Sequence, residues 1–244
     1  MMVEFIGSTG AGKTTLIRDV QRRLAEKTEV GISFDLIAGG IGLRGLKSRT
    51  TKNIVAELVG FPFFLRALPR HKEFLAFTLR RLVRPLDISL FTVNNLRSIE
   101  RKIGVYEFLR QCCPAHITLV DEGTVLSAHN LFVFGDVEVA QEEVLRFASL
   151  VPLPDLIVYV RAPVDVLVQR SLERSDAPRE MKSKKTTQIE NYLVRAVELF
   201  DQLVAVENIL CRLLVVNSLN FEEQAYQGSV DRIANWILEK RVSN

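Results

Sequence analysis

A glycine-rich segment near the amino terminus combines residue types that can bind a phosphate group. Residues 7–14 read GSTGAGKT, so three glycines precede a lysine and a threonine. Glycines let a backbone turn tightly and direct its amide hydrogens at an anion. The apolar residues before the segment, Val3, Phe5 and Ile6, indicate a buried strand. A helix is predicted to begin at about Lys13, and the dipole of this helix favours the same anion. The segment is therefore predicted to bind nucleotide phosphates.

The residues of this segment have separate predicted roles. Lys13 can reach the β- and γ-phosphates, and the Thr14 hydroxyl can bind Mg²⁺, for which Thr15 is the less suitable of the two threonines. The alternative is a turn that only joins a strand to a helix, but a predicted strand before the segment and a helix after it favour binding. The nucleotide is expected to contact Gly7, Ser8, Thr9, Gly10, Ala11, Gly12, Lys13, Thr14 and Thr15.

Two acidic residues follow another apolar run. Residues 117–120 read ITLV and lead into Asp121, Glu122 and Gly123. A buried strand would place Asp121 at the carboxyl edge of a sheet, close to the Mg²⁺ that Thr14 would bind. Asp121 or Glu122 could also accept the proton of an attacking hydroxyl. Which acid is the base and which is linked to the metal stays open, and the alternative is that both are surface acids in a loop.

A basic cluster follows the fourth predicted strand. Arg170 and Arg174 are four residues apart and share a helix face, and Arg179 lies in the loop beyond. Residues 170–185 are expected to form a lid that orders when nucleotide binds. The alternative is a solvated basic face, which is common for such clusters.

The chain alternates strands and helices in an order that brings these groups together. Such alternation indicates a parallel sheet covered by helices on both faces, whose carboxyl edge would also present Asp35. Residues 40–112 contain two to four predicted helices and no strand, which is too long for a plain crossover. We expect this helical region to cover the acceptor at the phosphate-binding edge, within a single domain of residues 1–244. Apolar runs predict strands at residues 3–6, 30–34, 117–120, 156–160 and 213–217.

Composition and charge narrow the classes of partner. Hydrophobic residues make up 48% and charged residues 25% of the chain, as in ordinary globular enzymes, and a net charge of +3 does not indicate a nucleic-acid partner. Residues 40–110 contain 14 Lys or Arg against 5 Asp or Glu, which favours an anionic acceptor there. Neither a membrane span nor a signal peptide is predicted, and three cysteines without metal spacing fit a reducing cytoplasm.

Residues 7–14 resemble the Walker A loop of the P-loop NTPases, which implies ATP or GTP with Mg²⁺. Residues 117–123 look like Walker B, and residues 154–217 resemble the nucleoside and nucleotide monophosphate kinases, thymidylate kinase most of all. The segments that carry this resemblance are PDLIVYVRAPVDVLVQRSLER, NYLVRAVELFDQLV and RLLVVN. It implies an α/β fold, the three-layer P-loop NTPase sandwich of about five parallel strands, with a helical insert between strands 2 and 3.

The resemblance also implies roles for residues late in the chain. Arg170, Arg174 and Arg179 match lid arginines that close over the phosphates, and the segment around Asn217 would touch the adenine. One feature departs from the pattern, because thymidylate and deoxynucleoside kinases carry an acid followed by arginine after the third strand. Here no arginine follows Asp121, which argues against thymidylate or a deoxynucleoside as the acceptor.

These observations together predict an ATP-dependent and Mg²⁺-dependent small-molecule kinase in the cytoplasm. It would transfer the γ-phosphoryl group to an anionic nucleotide-like or sugar-like acceptor. The alternatives are a P-loop ATPase that couples hydrolysis to a protein partner and a nucleotide-binding protein without activity. A GTPase is not expected, since the segment at Asn217 lacks the Lys and Asp of an Asn-Lys-x-Asp base motif. No nucleic-acid or membrane partner is expected, and a homodimer is considered.

Overall fold

Five parallel strands form the centre of the molecule. The computed structural model describes residues 1–43, 48–83, 89–133, 139–173, 186–218 and 223–242. The strands lie side by side in the order β2-β3-β1-β4-β5, and each neighbouring pair is parallel. This order confirms the predicted α/β sandwich with its helical insert between strands 2 and 3. The strands are β1 (Met2–Ile6), β2 (Val30–Ile32), β3 (Ile117–Val120), β4 (Leu156–Arg161) and β5 (Leu213–Asn217).

Helices cover both faces of the sheet, which explains why the central strands are apolar. Every residue of β1 and of β3 is buried, as expected for strands that are packed on both faces. No described helix combines the length and the apolar character that crossing a bilayer requires. The described helices are α1 (Lys13–Ala25), α2 (Ser33–Gly40), α3 (Arg49–Leu82), α4 (Leu90–Cys112), α5 (Ser127–Phe132), α6 (Gln141–Leu150), α7 (Val164–Glu173), α8 (Thr186–Val204), α9 (Glu207–Leu210) and α10 (Glu223–Val242).

The strand register brings two predicted site segments to the same edge of the sheet. Glu4 of β1 pairs with Val120 of β3, so the two strands end at nearly the same level. The glycine-rich segment that follows β1 therefore emerges beside Asp121. This adjacency comes from strand order, since 107 residues separate Thr14 from Asp121 in the chain.

Several predicted boundaries differ from the structure. The second strand was expected to extend to residue 34 but ends at Ile32, because α2 begins at Ser33 and contains Asp35 in its first turn. Of the two to four helices expected in residues 40–112, the first in the described part of the insert is α3, which continues without a break for 34 residues. This helix includes Pro62 and Pro69, so packing against α4 outweighs the local disruption that each proline causes.

A close crossing joins α3 and α4. A Cβ atom built on Gly104 would lie 2.5 Å from the carbonyl oxygen of Gly60, so the two helix backbones meet where neither carries a side chain. Farther along, the fully buried Glu107 carboxylate accepts hydrogen bonds from both Arg70 and Gln111 and contacts Nε2 of His71 at 2.8 Å. These contacts hold the helical insert together as a hairpin.

Candidate functional site

The glycine-rich segment forms a tight loop around the Lys13 ammonium. The φ angles of Gly7, Gly10 and Gly12 are 136°, 86° and 89°, which L-residues with a side chain rarely adopt. Lys13 donates hydrogen bonds from Nζ to the carbonyl oxygens of Gly7, at 2.8 Å, and of Ser8, at 2.9 Å. Helix α1 begins at Lys13, so its amino-terminal N–H groups point towards the same loop. This geometry fits an anion-binding loop.

Thr14 and Asp121, which the sequence pairs as ligands of Mg²⁺, are in direct contact. The Thr14 hydroxyl donates a hydrogen bond of 2.8 Å to Oδ2 of Asp121. Both groups are oxygen donors, the ligand type that Mg²⁺ prefers, and Mg²⁺ commonly takes only one or two protein ligands beside water and substrate phosphates. The described residues contain no cluster of three or more His, Cys, Asp or Glu side chains that could hold a metal ion. The pair therefore fits Mg²⁺ bound together with a nucleotide.

A cavity of about 230 Å³ lies between the loop and the end of β5. Gly12 and Thr15 line it on the loop side, and Asn217 and Ser218 line it on the strand side. Tyr226 of α10 completes the wall, and its hydroxyl donates to Asp19 of α1. Asn217 thus lies beside the loop, and its contact with adenine stays a prediction.

Arg170 connects the loop to the segment after β5. Its Nη1 donates to the Gly10 carbonyl and to the Ser218 hydroxyl, both at 3.2 Å, and Nη2 donates to the Ser218 carbonyl at 3.3 Å. Burial lowers the pKa of Arg170. The other expected lid arginines, Arg174 and Arg179, lie outside the described residues, as does the lid segment from residue 174 to residue 185.

A second cavity, of about 420 Å³, begins at the Thr14–Asp121 pair and extends beneath the helical insert. Helices α3 and α4 form part of its wall. The insert therefore borders a space that reaches the phosphate-binding loop. The charged residues that line this cavity are Arg18, Asp35, Lys52, Arg101, Lys102, Asp121 and Glu122.

A buried carboxylate supports the segment that carries Asp121 and Glu122. Glu4 of β1 is 1% exposed, and its two carboxylate oxygens accept hydrogen bonds from the backbone amides of Val125 and Leu126. Burial raises the pKa of Glu4 to about 7, although these hydrogen bonds oppose the rise. A Cβ atom at Gly123 would collide with the Glu4 carboxylate. The Glu4 carboxylate therefore leaves no room for a side chain at position 123.

Sequence reasoning missed Glu4, Lys102 and Ser218. A signal existed for Glu4, because it is the only charged residue in an otherwise apolar strand. Lys102 lies three residues after Ile99 and directly before Ile103, so helical periodicity places it on their buried face. Ser218 follows Asn217, but its contact with Arg170 depends on tertiary packing and leaves no local signal.

Comparison with solved structures identifies the fold of the chain. No family model matches the chain, and no curated protein does. A solved structure of deoxyadenosine kinase from M. mycoides, described with the products dCMP and a flexible dCDP bound, matches with a TM-score of 0.52 and 16% identity, over 98% of this chain and 100% of that chain. A shikimate kinase from Bacteroides thetaiotaomicron matches with a TM-score of 0.49 and 12% identity, over 97% and 98% of the two chains. The first likeness shows that this chain shares the fold of a P-loop kinase.

Proposed function

We propose that this protein is an ATP-dependent small-molecule kinase that transfers the γ-phosphoryl group to an anionic nucleotide-like or sugar-like acceptor. The observation that carries the proposal is the hydrogen bond between Thr14 and Asp121, because it lies where the phosphate-binding loop meets the cavity beneath the helical insert. In this proposal the nucleotide site and the acceptor site would therefore be adjacent. The fold shared with deoxyadenosine kinase supports the same activity class.

The loop and Lys13 bind and orient the phosphates in this proposal. The Lys13 ammonium now contacts two neutral carbonyl oxygens, and phosphate oxygens carry more charge and form stronger hydrogen bonds with an ammonium. Thr15 and Asn217 line the neighbouring cavity and would contact the rest of the nucleotide. Phosphoryl transfer depends mainly on such positioning and on electrostatic stabilisation.

The contacts of the two acids suggest a division of their roles. Asp121 is bonded to Thr14 and would hold Mg²⁺ with it, where the ion would neutralise charge on the phosphates. Glu122 is exposed and lines the acceptor cavity, so it would accept the proton of the acceptor hydroxyl. Arg170 would stabilise the loop through Gly10, and the lid role of Arg174 and Arg179 remains a proposal. A location in the cytoplasm and assembly as a homodimer also remain predictions.

The test of the kinase function is ATP turnover with and without acceptors. We expect ADP release with Mg²⁺ to be slow alone and to rise when a pool of nucleosides, nucleotides, hydroxy acids and sugar phosphates is added. Lys13→Met should lower the stimulated rate by about 10²-fold or more, since it removes a charge that stabilises the transition state.

Two controls separate the kinase from the alternatives. Lys72→Met removes the same charge from an exposed position of α3 and should leave the stimulated rate unchanged. Rapid turnover that no acceptor stimulates would instead favour an ATPase. Turnover that is equal in the wild type and in Lys13→Met would contradict any role of the loop in phosphoryl transfer.

A further inference from the structure

Helix α4 carries a lysine that is almost removed from solvent. Lys102 is 6% exposed, although it belongs to a residue type that is rarely buried without a partner. Among the described residues, none accepts a hydrogen bond from the Lys102 ammonium or forms an ion pair with it. An ammonium that has lost most of its contact with water is costly without a partner, and the cavity that Lys102 lines gives a ligand access to it.

The surrounding charges do not fully compensate this ammonium. Burial lowers the pKa of Lys102, while the charges of Glu122 and Glu4 oppose that change and the charge of Arg101 adds to it. The Glu4 carboxylate already accepts hydrogen bonds from two backbone amides. The ammonium of Lys102 thus remains available to a further anion.

The position of Lys102 indicates where such an anion would come from. Lys102 lines the cavity that begins at Thr14 and Asp121. It belongs to α4, which is part of the helical insert. The loop amides and Lys13 are the groups placed to bind the nucleotide phosphates. A molecule that occupies the cavity beneath the insert would present its own anionic group to Lys102.

We propose that Lys102 is a specificity-determining residue that binds an anionic group of the acceptor, a carboxylate or a phosphate. This inference rests on the proposed kinase function, because it assigns the cavity to the acceptor. Glu122 lines the same cavity and has the opposite charge, so the two side chains would orient the acceptor between a site for its anion and a site for its hydroxyl. A neutral analogue would displace water from the Lys102 ammonium without supplying an anionic partner and would bind more weakly.

The first experiment compares probe pairs that differ in one anionic group. Thermal shifts of the wild type are measured with ADP and Mg²⁺ present, for deoxyadenosine against deoxyadenosine monophosphate and for shikimate against its methyl ester. Inorganic phosphate and acetate serve as isolated anions. We expect an anionic probe to stabilise the protein and its neutral partner not to, and the pair that responds distinguishes a phosphate from a carboxylate. Equal stabilisation by both members of each pair would overturn the proposal.

The second experiment removes the charge of Lys102. Lys102→Met should weaken binding of the anionic probes at least about tenfold, with little change in affinity for ATP, and Lys102→Arg should restore part of the affinity. Lys72→Met is the matched control and should bind all probes as the wild type does. If Lys102→Met does not fold, as circular dichroism would show, Lys102→Gln takes its place. The proposal fails if no anionic probe binds more weakly to the folded variant than to the wild type, or if the variant loses affinity for ATP instead.

These measurements separate this inference from the kinase function. Loss of anion binding in Lys102→Met without phosphorylation of any acceptor would support the anion site and contradict the kinase. Phosphorylation of an acceptor with the same KM in the wild type and in Lys102→Met would support the kinase and overturn the role of Lys102.

Discussion

At the scale of single residues, the contact between Thr14 and Asp121 organises the proposed chemistry. Their hydrogen bond of 2.8 Å shows that the two oxygen donors are close enough to share one small cation. Neither group is fully buried, so water and phosphate oxygens can complete the coordination. The assignment of Asp121 to the metal is therefore open to a direct test.

Asp121→Asn should weaken the response to Mg²⁺ more than it weakens nucleotide binding. Asparagine keeps the shape of the side chain and an oxygen that can accept from Thr14, but it lacks the negative charge that attracts the cation. We expect the Mg²⁺ concentration for half-maximal turnover to rise at least about tenfold, while ATP affinity measured in EDTA stays the same.

A matched control tests whether the effect depends on position. Glu207→Gln removes the same charge from exposed α9, which precedes β5 at the amino edge of the sheet, away from the site. Its Mg²⁺ titration should resemble that of the wild type. An unchanged titration in Asp121→Asn would mean that Asp121 is a structural acid.

At the scale of the elements, the crossing of α3 and α4 shapes the wall of the cavity beneath the helical insert. The helices approach at Gly60 and Gly104, and the same two helices supply Lys52, Arg101 and Lys102 to the cavity. A side chain at the crossing would push the helices apart and displace these groups. The two glycines therefore affect both stability and the shape of the site.

Gly104→Ala should destabilise the protein because its Cβ would lie 2.5 Å from the Gly60 carbonyl oxygen. We expect the free energy of unfolding to fall by about 1–3 kcal/mol, as for other overpacked sites. Urea denaturation followed by circular dichroism measures the change. The KM for an acceptor should also rise, since the cavity wall would move.

Gly228 in α10 provides the control, because a Cβ atom there would meet nothing within 4 Å. Gly228→Ala should be neutral or stabilising by about 0.5–1 kcal/mol, since alanine favours a helix over glycine. If Gly104→Ala behaved like Gly228→Ala, the close approach of α3 and α4 would not constrain the fold.

At the scale of the whole molecule, the buried Glu4 carboxylate makes stability depend on pH. Its pKa rises from 4.5 to about 7 on folding, mainly because burial disfavours the charged form. Between these two values the folded state holds a proton that the unfolded state has released. Stability from this group is therefore present below about pH 4.5 and is lost as the pH rises through about 7.

Glu4→Gln should remove this part of the pH dependence. Glutamine does not titrate, and its side-chain oxygen can still accept one of the amide hydrogen bonds. Between about pH 5 and about pH 8 we expect the wild type to lose on the order of 2–3 kcal/mol more unfolding free energy than the variant. Urea denaturation of both proteins at each pH gives the difference, in which contributions common to both cancel. Parallel stability profiles would show that Glu4 does not titrate in this range.

The sequence alone determined the parts of this protein that local patterns encode. The phosphate-binding loop could be predicted from one uninterrupted stretch of sequence, because the geometry of a loop and the start of a helix depend on neighbouring residues. This stretch contains Gly7, Gly10, Gly12 and Lys13. Apolar runs predicted all five strands for a similar reason, since a strand buried on both faces has few polar residues wherever it pairs. The parallel α/β class followed from the alternation of these strands with helices.

Tertiary structure decided which distant residues meet. Strand order brings Asp121 to Thr14, and the packing of α4 over the sheet edge buries Lys102 beside Glu122. The unbroken course of helix α3 also depends on tertiary contacts. Its packing against α4 outweighs the local preference of Pro62 and Pro69 to end a helix. Such contacts join residues far apart in the chain, and their free energy depends on burial and register, which a local pattern does not contain.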